Sequence, residues 1–342
     1  MPSVDGFANI HKPAGMTSHD VVARVRRVLK TKRVGHAGTL DPDATGVLVV
    51  AVGQATRLLP YLPLEPKVYI ARAVFGSATT SEDASGTETD SADASALTEE
   101  ALRVAIPSFI GDILQVPPMV SAVHHEGKRL YELARAGITV ERDARPAKIF
   151  DITLSDFAPG ERAEATLHVS CGSGTYIRTL CFDLGAAVGL PTHMKTLVRT
   201  AVGPFTLENS VNWESLTADT LLPMEAVLDF PTLPLTDDAA SDISMGRSVK
   251  IIDSPSPPLP PSPSEGRGGR TGVVTLSGGR RDTPSGLPPL PSEGEGGRGG
   301  EGHEIVSLLH NSRLLALARY DTETGTAQPF KVFLLQDGGN GE

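Results

Sequence analysis

Apolar and polar positions follow different periods in different parts of this chain, and each change of period marks an element. After Gly46 comes an unbroken apolar run, Val47-Leu48-Val49-Val50-Ala51-Val52, which predicts a buried strand. Phe7-Ala8-Asn9-Ile10 is a shorter run of the same kind. Val21, Val22, Val25, Val28 and Leu29 fall at helical spacing behind Thr17 and Ser18, either of which can cap a helix. The polar face of that helix carries Arg24, Arg26, Arg27 and Lys30, continued by Lys32 and Arg33. Lys67-Val68-Tyr69-Ile70-Ala71 alternates as a strand up to Phe75-Gly76. Residues 149–157 and 163–171 read as paired strands around Pro159-Gly160. Residues 98–110 read as a helix capped at Thr98 with Glu99 and Glu100 in its first turn, and 179–187 as a second that ends at Gly185 or Gly189. The Thr-, Ser- and acid-rich segment 77–98 reads as a flexible loop.

From Leu233 the pattern restarts as a small second domain. Leu235-Thr236 and Ser244-Met245-Gly246-Arg247 begin it; strand-like runs at Leu314–Tyr320 and Lys331–Leu335 end it. Between its halves lies 253–302, with ten prolines, thirteen glycines and no aromatic residue. Such a composition cannot bury a core, so the segment is expected to be disordered. Its near-repeat of Pro258-Leu259-Pro260-Pro261-Ser262 at Pro288-Pro289-Leu290-Pro291-Ser292 marks it as a low-complexity insertion, with a proline-rich ligand as the lesser alternative. The expected domains are therefore 1–230, a split domain of 231–252 and 303–337, and the insertion 253–302.

Composition narrows the function classes. The 342 residues suffice for a full catalytic core and a smaller domain. The net charge of −10 argues against indiscriminate binding to nucleic acid or membrane. Sign is unevenly spread, however: residues 1–60 carry eight Lys or Arg against four acids, which leaves room for a local basic face. Lys128, Arg129, Arg135, Arg142, Arg145 and Lys148 form a second basic zone. The two cysteines, Cys171 and Cys181, match no zinc spacing and are expected as reduced thiols. His124-His125 offers no metal site, because adjacent strand residues diverge and no further ligand is spaced for one. No apolar run is long enough for a membrane span, and a cytoplasmic location is expected.

One stretch concentrates the candidate chemistry: Gly35-His36-Ala37-Gly38-Thr39-Leu40-Asp41-Pro42-Asp43-Ala44-Thr45-Gly46-Val47-Leu48. Pro42 fixes its own φ and pushes Asp41 out of helical geometry, so a carboxylate sits on a shaped loop leading into the core. On spacing alone, a turn with a helix-capping aspartate is the favoured reading. Arg178, flanked by Ile177, Leu180 and Phe182, is expected to be part-buried and so to need a carboxylate partner.

The stretch Gly-His-Ala-Gly-Thr-Leu-Asp-Pro-x-Ala-Thr-Gly-Val-Leu resembles the catalytic motif of the TruB-type tRNA pseudouridine synthases. Other segments resemble that family as well: Lys12-Pro13-Ala14-Gly15-Met16-Thr17-Ser18, the Lys67-x-Tyr69 strand, Thr80 to Gly86, Ser121 to Gly137, Gly174-Thr175-Tyr176-Ile177-Arg178, and Leu197-x-Arg199-x-x-x-Gly203-x-Phe205. Val120 and His124 depart from the family pattern, where an aromatic and a lysine are expected. The likeness covers most of residues 6–230 and weakens beyond 232.

The resemblance implies an α+β fold: a catalytic domain with a mixed, largely antiparallel central sheet flanked by helices, and a small β-rich, PUA-like RNA-binding domain. It implies isomerisation of uridine-55 in the T-loop of tRNA, with no cofactor and no metal. Asp41 would be the nucleophile and Arg178 its ion-pair partner. Tyr69 would lie against the target base and take its C5 proton. Tyr176 would line the uracil pocket, Leu197 would pack near the base, and His36 would fill or support the gap left in the RNA. Lys12, with Pro13, would shape the catalytic loop; Lys12 and Arg199 are also counted among the substrate-binding residues. The partner would be the tRNA T-arm, with the protein a monomer. Two alternatives stand beside this: a related synthase acting on another RNA, and a non-enzymatic RNA-binding or tRNA-folding protein. The presence of Asp41, Tyr69 and Arg178 together disfavours the latter.

Overall fold

The computed structural model describes residues 4–121, 124–125, 128–129, 138, 140–251 and 303–333. The chain divides into two units between Asp229 and Phe230. The low-complexity stretch 253–302 lies outside the described residues, as do the side chains of Lys128, Arg129 and Arg135.

The first unit is built on a nine-stranded mixed sheet. In chain order its strands and those of its hairpins are β1 (Gly6–Lys12), β2 (Val34–Ala37), β3 (Thr45–Val52), β4 (Lys67–Phe75), β5 (Ser77–Thr79), β6 (Glu88–Ser91), β7 (Gly111–Gln115), β8 (His124–His125), β9 (Lys128–Arg129), β10 (Arg145–Ala158), β11 (Ala163–Cys171), β12 (Thr192–Val202) and β13 (Phe205–Thr206). The order across the sheet is β1-β3-β12-β4-β11-β10-β7, with β2 on β3 and β13 on β12. Every pairing is antiparallel except β3 with β12. The apolar run 47–52 lies in β3, next to the edge strand β1, and is the buried strand its composition predicts, with every residue inaccessible to solvent.

That strand also explains where the site lies. One edge of β3 carries β1 along its whole length. The other edge is shared: β12 pairs at Thr45 and Gly46, and β2 pairs from Val49 to Val52. The loop 38–44 spans the point where β3 changes partner, and Asp41 sits in that opening.

Helix α1 (Ser18–Val28) starts on a capping box, in which Thr17 receives the Asp20 backbone N–H and the Asp20 carboxylate accepts from the Thr17 backbone. Its apolar stripe of Val21, Val22 and Val25 packs on Ala8, Ile10, Leu48 and Val50. Helices α2 (Glu99–Ala105, capped by Thr98) and α3 (Ile177–Ala187) cover the other half of the sheet, where Leu102, Leu180 and Leu184 meet Ala71, Ala73, Leu167 and Val169. Each of these large buried side chains contributes roughly 1.5–3 kcal/mol, which makes this cluster a firm base for the loop above it.

The segment 77–98 differs from the loop its composition suggests. β5 and β6 form a hairpin, and the turn between them is tied to β12: Ala84 N–H donates to the Met194 carbonyl and Met194 N–H donates to the Glu82 carbonyl, both at 3.0 Å. Backbone pairing to a neighbouring strand overrides the polar, acidic composition here.

The second unit is a five-stranded sheet with one helix: β14 (Thr232–Pro234), α4 (Asp237–Ser244), β15 (Val249–Lys250), β16 (His303–His310), β17 (Arg313–Asp321) and β18 (Thr326–Val332), in the order β14-β16-β17-β18-β15. Leu233, Ile243, Val306, Leu308, Ala316 and Ala318 form its core. The last strand begins earlier than the run at Lys331 suggests, because the Asp321 carboxylate accepts from Glu323 and Thr324 N–H and closes a turn directly into Thr326.

Candidate active site

Two side chains flanking Asp41, Leu40 and Ala44, are buried in the main core cluster, which also holds Tyr69, Ile177 and Leu197. Ala44 N–H donates to the Asp41 carbonyl at 3.2 Å, so the turn at Pro42 closes on itself. The backbone on either side of Asp41 is fixed from below. Ser18 Oγ accepts from Leu40 N–H at 2.9 Å and donates to the Leu40 carbonyl at 3.2 Å. Lys12 Nζ donates to the carbonyls of Pro42 (2.8 Å), Met16 (2.6 Å) and Pro13 (2.9 Å). Arg199 Nε donates to the Val47 carbonyl at 2.8 Å, and its terminal nitrogens donate to Gly38 (3.1 Å) and Thr39 (3.5 Å).

Lys12 and Arg199, expected among the substrate-binding residues, are buried, the Lys12 donors bonding three main-chain carbonyls and those of Arg199 bonding the carbonyls of Gly38, Thr39 and Val47 and the Tyr69 hydroxyl. Their geometry is that of positioning residues. Burial lowers the Lys12 ammonium to about 8, against the pull of Asp43 and Asp41.

The Asp41 carboxylate meets Arg178 twice: Nε at 3.0 Å from Oδ2 and Nη2 at 3.3 Å from Oδ1. Arg178 is 4% exposed, whereas 37% of the Asp41 side chain remains open. The nucleophile candidate thus faces outward with its counter-ion behind it. The guanidinium also donates to the carbonyls of Ser81 (3.1 Å) and Val120 (2.8 Å), and Nη1 lies 3.6 Å from Asp83 Oδ2. Burial raises the Asp41 carboxyl above its ordinary range; Arg178 opposes this and Asp83 adds to it.

Tyr69 stands on β4 opposite Arg199 of β12 and is buried. Burial raises its hydroxyl, while a hydrogen bond from Arg199 acts in the other direction. Leu197 shares its cluster. Tyr176 caps α3 two residues before Arg178 and is half-buried. His36 lies on β2 with its ring edge-on to His19, centroids 5.4 Å apart. Burial, then His19 and Arg199, lower its basicity, so the imidazole is held toward its neutral form. Among the described residues no group of three metal-ligating side chains converges.

Three residues in this network carry no obvious mark in the sequence: Ser18, Asp83 and Gln115, whose amide bonds both backbone groups of Tyr176. Ser18 reads only as a cap. Asp83 stands in the Thr80–Gly86 segment, but a loop assignment hides its reach to Arg178. Gln115 reads as the start of an extended stretch.

The chain as a whole has relatives. A family model described as "TruB family pseudouridylate synthase (N terminal domain)" matches residues 26–177, and one described as "tRNA pseudouridylate synthase B C-terminal domain" matches 178–229. A curated tRNA pseudouridine synthase B from Heliobacterium modesticaldum is 46% identical over 248 residues, 71% of this chain and 81% of that one. The chain belongs to the TruB family of pseudouridine synthases. The Symbiobacterium thermophilum tRNA pseudouridine synthase B is 49% identical over 71% of this chain and 82% of its own. As a TruB-family tRNA pseudouridine synthase the protein is an isomerase. Solved structures agree at the level of fold. An H/ACA RNP bound to a substrate RNA containing 2'-deoxyuridine matches with TM-score 0.62 at 21% identity, over 97% of this chain and 86% of that one. A Cbf5-Nop10-Gar1 complex matches at TM-score 0.61 and 23% identity, over 96% of this chain and 85% of that one. The fold of this chain is α+β, a mixed sheet with helices followed by a β-rich second unit.

Proposed function

We propose that this protein isomerises uridine-55 in the T-loop of tRNA to pseudouridine, with Asp41 as the nucleophile. The observation that carries the reading is the outward Asp41 carboxylate held by a buried Arg178 at two points. A nucleophilic carboxylate must be ionised in a shielded site, and burial opposes that. Arg178 offsets part of the cost and fixes the orientation.

The reaction breaks the bond from the sugar to N1, turns the uracil, and joins it through C5. C5 loses its proton as it takes the sugar, and N1, which gave up the sugar, gains one, so atoms balance without oxidation or reduction, and the chemistry calls for no cofactor. The base must first leave the RNA stack, at a cost of a few kcal/mol. His36, its basicity lowered by burial, fills or supports the gap. Tyr69 lies against the detached base and takes its C5 proton; Leu197 and Tyr176 line the uracil pocket. Lys12 and Arg199 hold the loop. The basic face of α1 and the zone around Arg142, Arg145 and Lys148 supply phosphate contacts, by which the folded T-arm is recognised through its shape. The second unit acts as a PUA-like RNA-binding domain. The protein works as a cytoplasmic monomer.

The test of the target is tritium release from C5-labelled uridine in an unmodified tRNA transcript, with and without uridine-55 replaced by cytidine. Release that disappears with the replacement supports the reading. Release that persists means that another uridine is the target, and no release from either transcript means that another RNA is the substrate.

A further inference from the structure

We propose that Gln115 is a positioning residue for this reaction, holding the Tyr176 backbone and thereby the register of Tyr176 and Arg178 against Asp41. Gln115 ends β7, the edge strand of the sheet, and is 2% exposed. Its Oε1 accepts from Tyr176 N–H at 2.9 Å, and its Nε2 donates to the Tyr176 carbonyl at 3.1 Å. One side chain therefore satisfies both backbone groups of a residue 61 positions away.

Tyr176 is held by two elements: its carbonyl accepts from Leu180 N–H at 3.0 Å as well as from Gln115, while its N–H donates to Gln115. It occupies the N-cap of α3 and makes no side-chain capping bond of its own. Its backbone leads directly into Ile177 and Arg178. Five residues beyond Gln115, the Val120 carbonyl accepts from Arg178 Nη2 at 2.8 Å. The extended segment 115–120 thus grips 176–178 at two points, once through the backbone and once through the guanidinium.

The fold of β7 does not itself require an amide here. Ile113 and Gln115 share the inward face of the strand, where an apolar residue is the ordinary occupant. Burying a polar amide costs free energy unless both its ends are bonded, and here both are, to one residue of the candidate site. An amide offers a donor and an acceptor in this fork at every pH; an ionised carboxylate offers no donor and repels the Tyr176 carbonyl, and methionine fills the space with neither.

The role rests on the proposed function, so wild type is assayed in parallel. The variants are Gln115→Met and Gln115→Glu, measured by single-turnover tritium release at saturating tRNA transcript from pH 5 to 9, with tRNA affinity and thermal midpoint alongside. Gln115→Met is expected to lose about tenfold to a hundredfold in rate, with affinity changed less than about threefold. For Gln115→Glu the rate relative to wild type is expected to climb as pH falls, because the protonated carboxyl can again both donate and accept. That relative climb is expected to be absent in Gln115→Met. Thermal destabilisation of Gln115→Met without loss of rate overturns the proposal, as does a Gln115→Glu deficit independent of pH. Active wild type with unaffected variants overturns this proposal alone; inactive wild type overturns the functional reading beneath it as well.

Discussion

Replacing Arg178 by methionine removes a side chain that bonds four groups at once. Two of its contacts reach Asp41, at 3.0 and 3.3 Å. Hydrogen bonds to charged groups are worth roughly 1.5–3 kcal/mol each. Losing both contacts at the nucleophile therefore predicts a rate loss of about 10²–10⁴-fold. The variant also leaves the Ser81 and Val120 carbonyls without this donor and removes the cation between Asp41 and Asp83. Two carboxylates then face one another without the charge that separates them. The sign follows: Arg178 lowers the Asp41 carboxyl, so its loss raises it further above the ordinary range. Since catalysis requires the ionised form, the acid limb of the rate profile moves to higher pH. Arg178→Lys keeps a charge but cannot span all four acceptors, and is expected to fall between wild type and Arg178→Met in rate. The assay is single-turnover tritium release with enzyme in excess from pH 5 to 9. An Arg178→Met rate within about tenfold of wild type, with the acid limb unmoved, refutes the claim that this ion pair holds Asp41 ready.

Lys12→Met strips the donor from three backbone carbonyls, and after offset by the relieved burial of an ammonium it is expected to cost about 2–4 kcal/mol, seen as a lower thermal midpoint. With its folded pKa near 8 and an ordinary value of 10.5, Lys12 binds fewer protons folded than unfolded in that window, so its contribution to stability rises with pH from about 8 to 10.5; the difference between wild type and Lys12→Met should show that slope. Gly46 has φ +105° and a Cβ there would lie 2.1 Å from the Arg199 carbonyl oxygen, so Gly46→Ala is expected to abolish soluble folded protein. Gly174→Ala, at φ +86° with open space around it, should fold at a cost of only about 1–2 kcal/mol in backbone strain. Burial pushes the thiols of Cys171 and Cys181 up to about 11 and about 12, so a thiol reagent at pH 8 should find neither in the folded protein and both after denaturation.

Much of the site is legible in the residues because its chemistry is local. Pro42 and the surrounding glycines place Asp41 on a shaped loop, but its spacing alone reads as a turn and only the family motif singles it out; Arg178 is marked by the apolar neighbours that bury it. The apolar run 47–52 locates the buried strand β3 without help. What stays hidden depends on contacts distant in sequence. The resemblance gives Lys12 a part in shaping the loop but counts both Lys12 and Arg199 among the substrate-binding residues, and only the packing of β1 and β12 beneath the 38–44 loop shows their donors turned inward. Asp83 lies in a segment whose acidic, Ser/Thr-rich composition reads as a loop; its pairing with Met194 of β12 makes it part of the Arg178 network. Gln115 and Ser18 are unremarkable as residue types, and their meaning comes from the backbone groups of Tyr176 and Leu40 that they reach.

The central claim is that Asp41 is the nucleophile and not a structural carboxylate. Its most direct test is single-turnover tritium release from C5-labelled tRNA transcript by Asp41→Asn, with tRNA binding measured on the same preparation. The account predicts release by wild type, none by Asp41→Asn, and closely similar tRNA affinity for both. Loss of binding together with release would mean that Asp41 shapes the loop, and residual release by Asp41→Asn near the wild-type rate would place the nucleophile elsewhere.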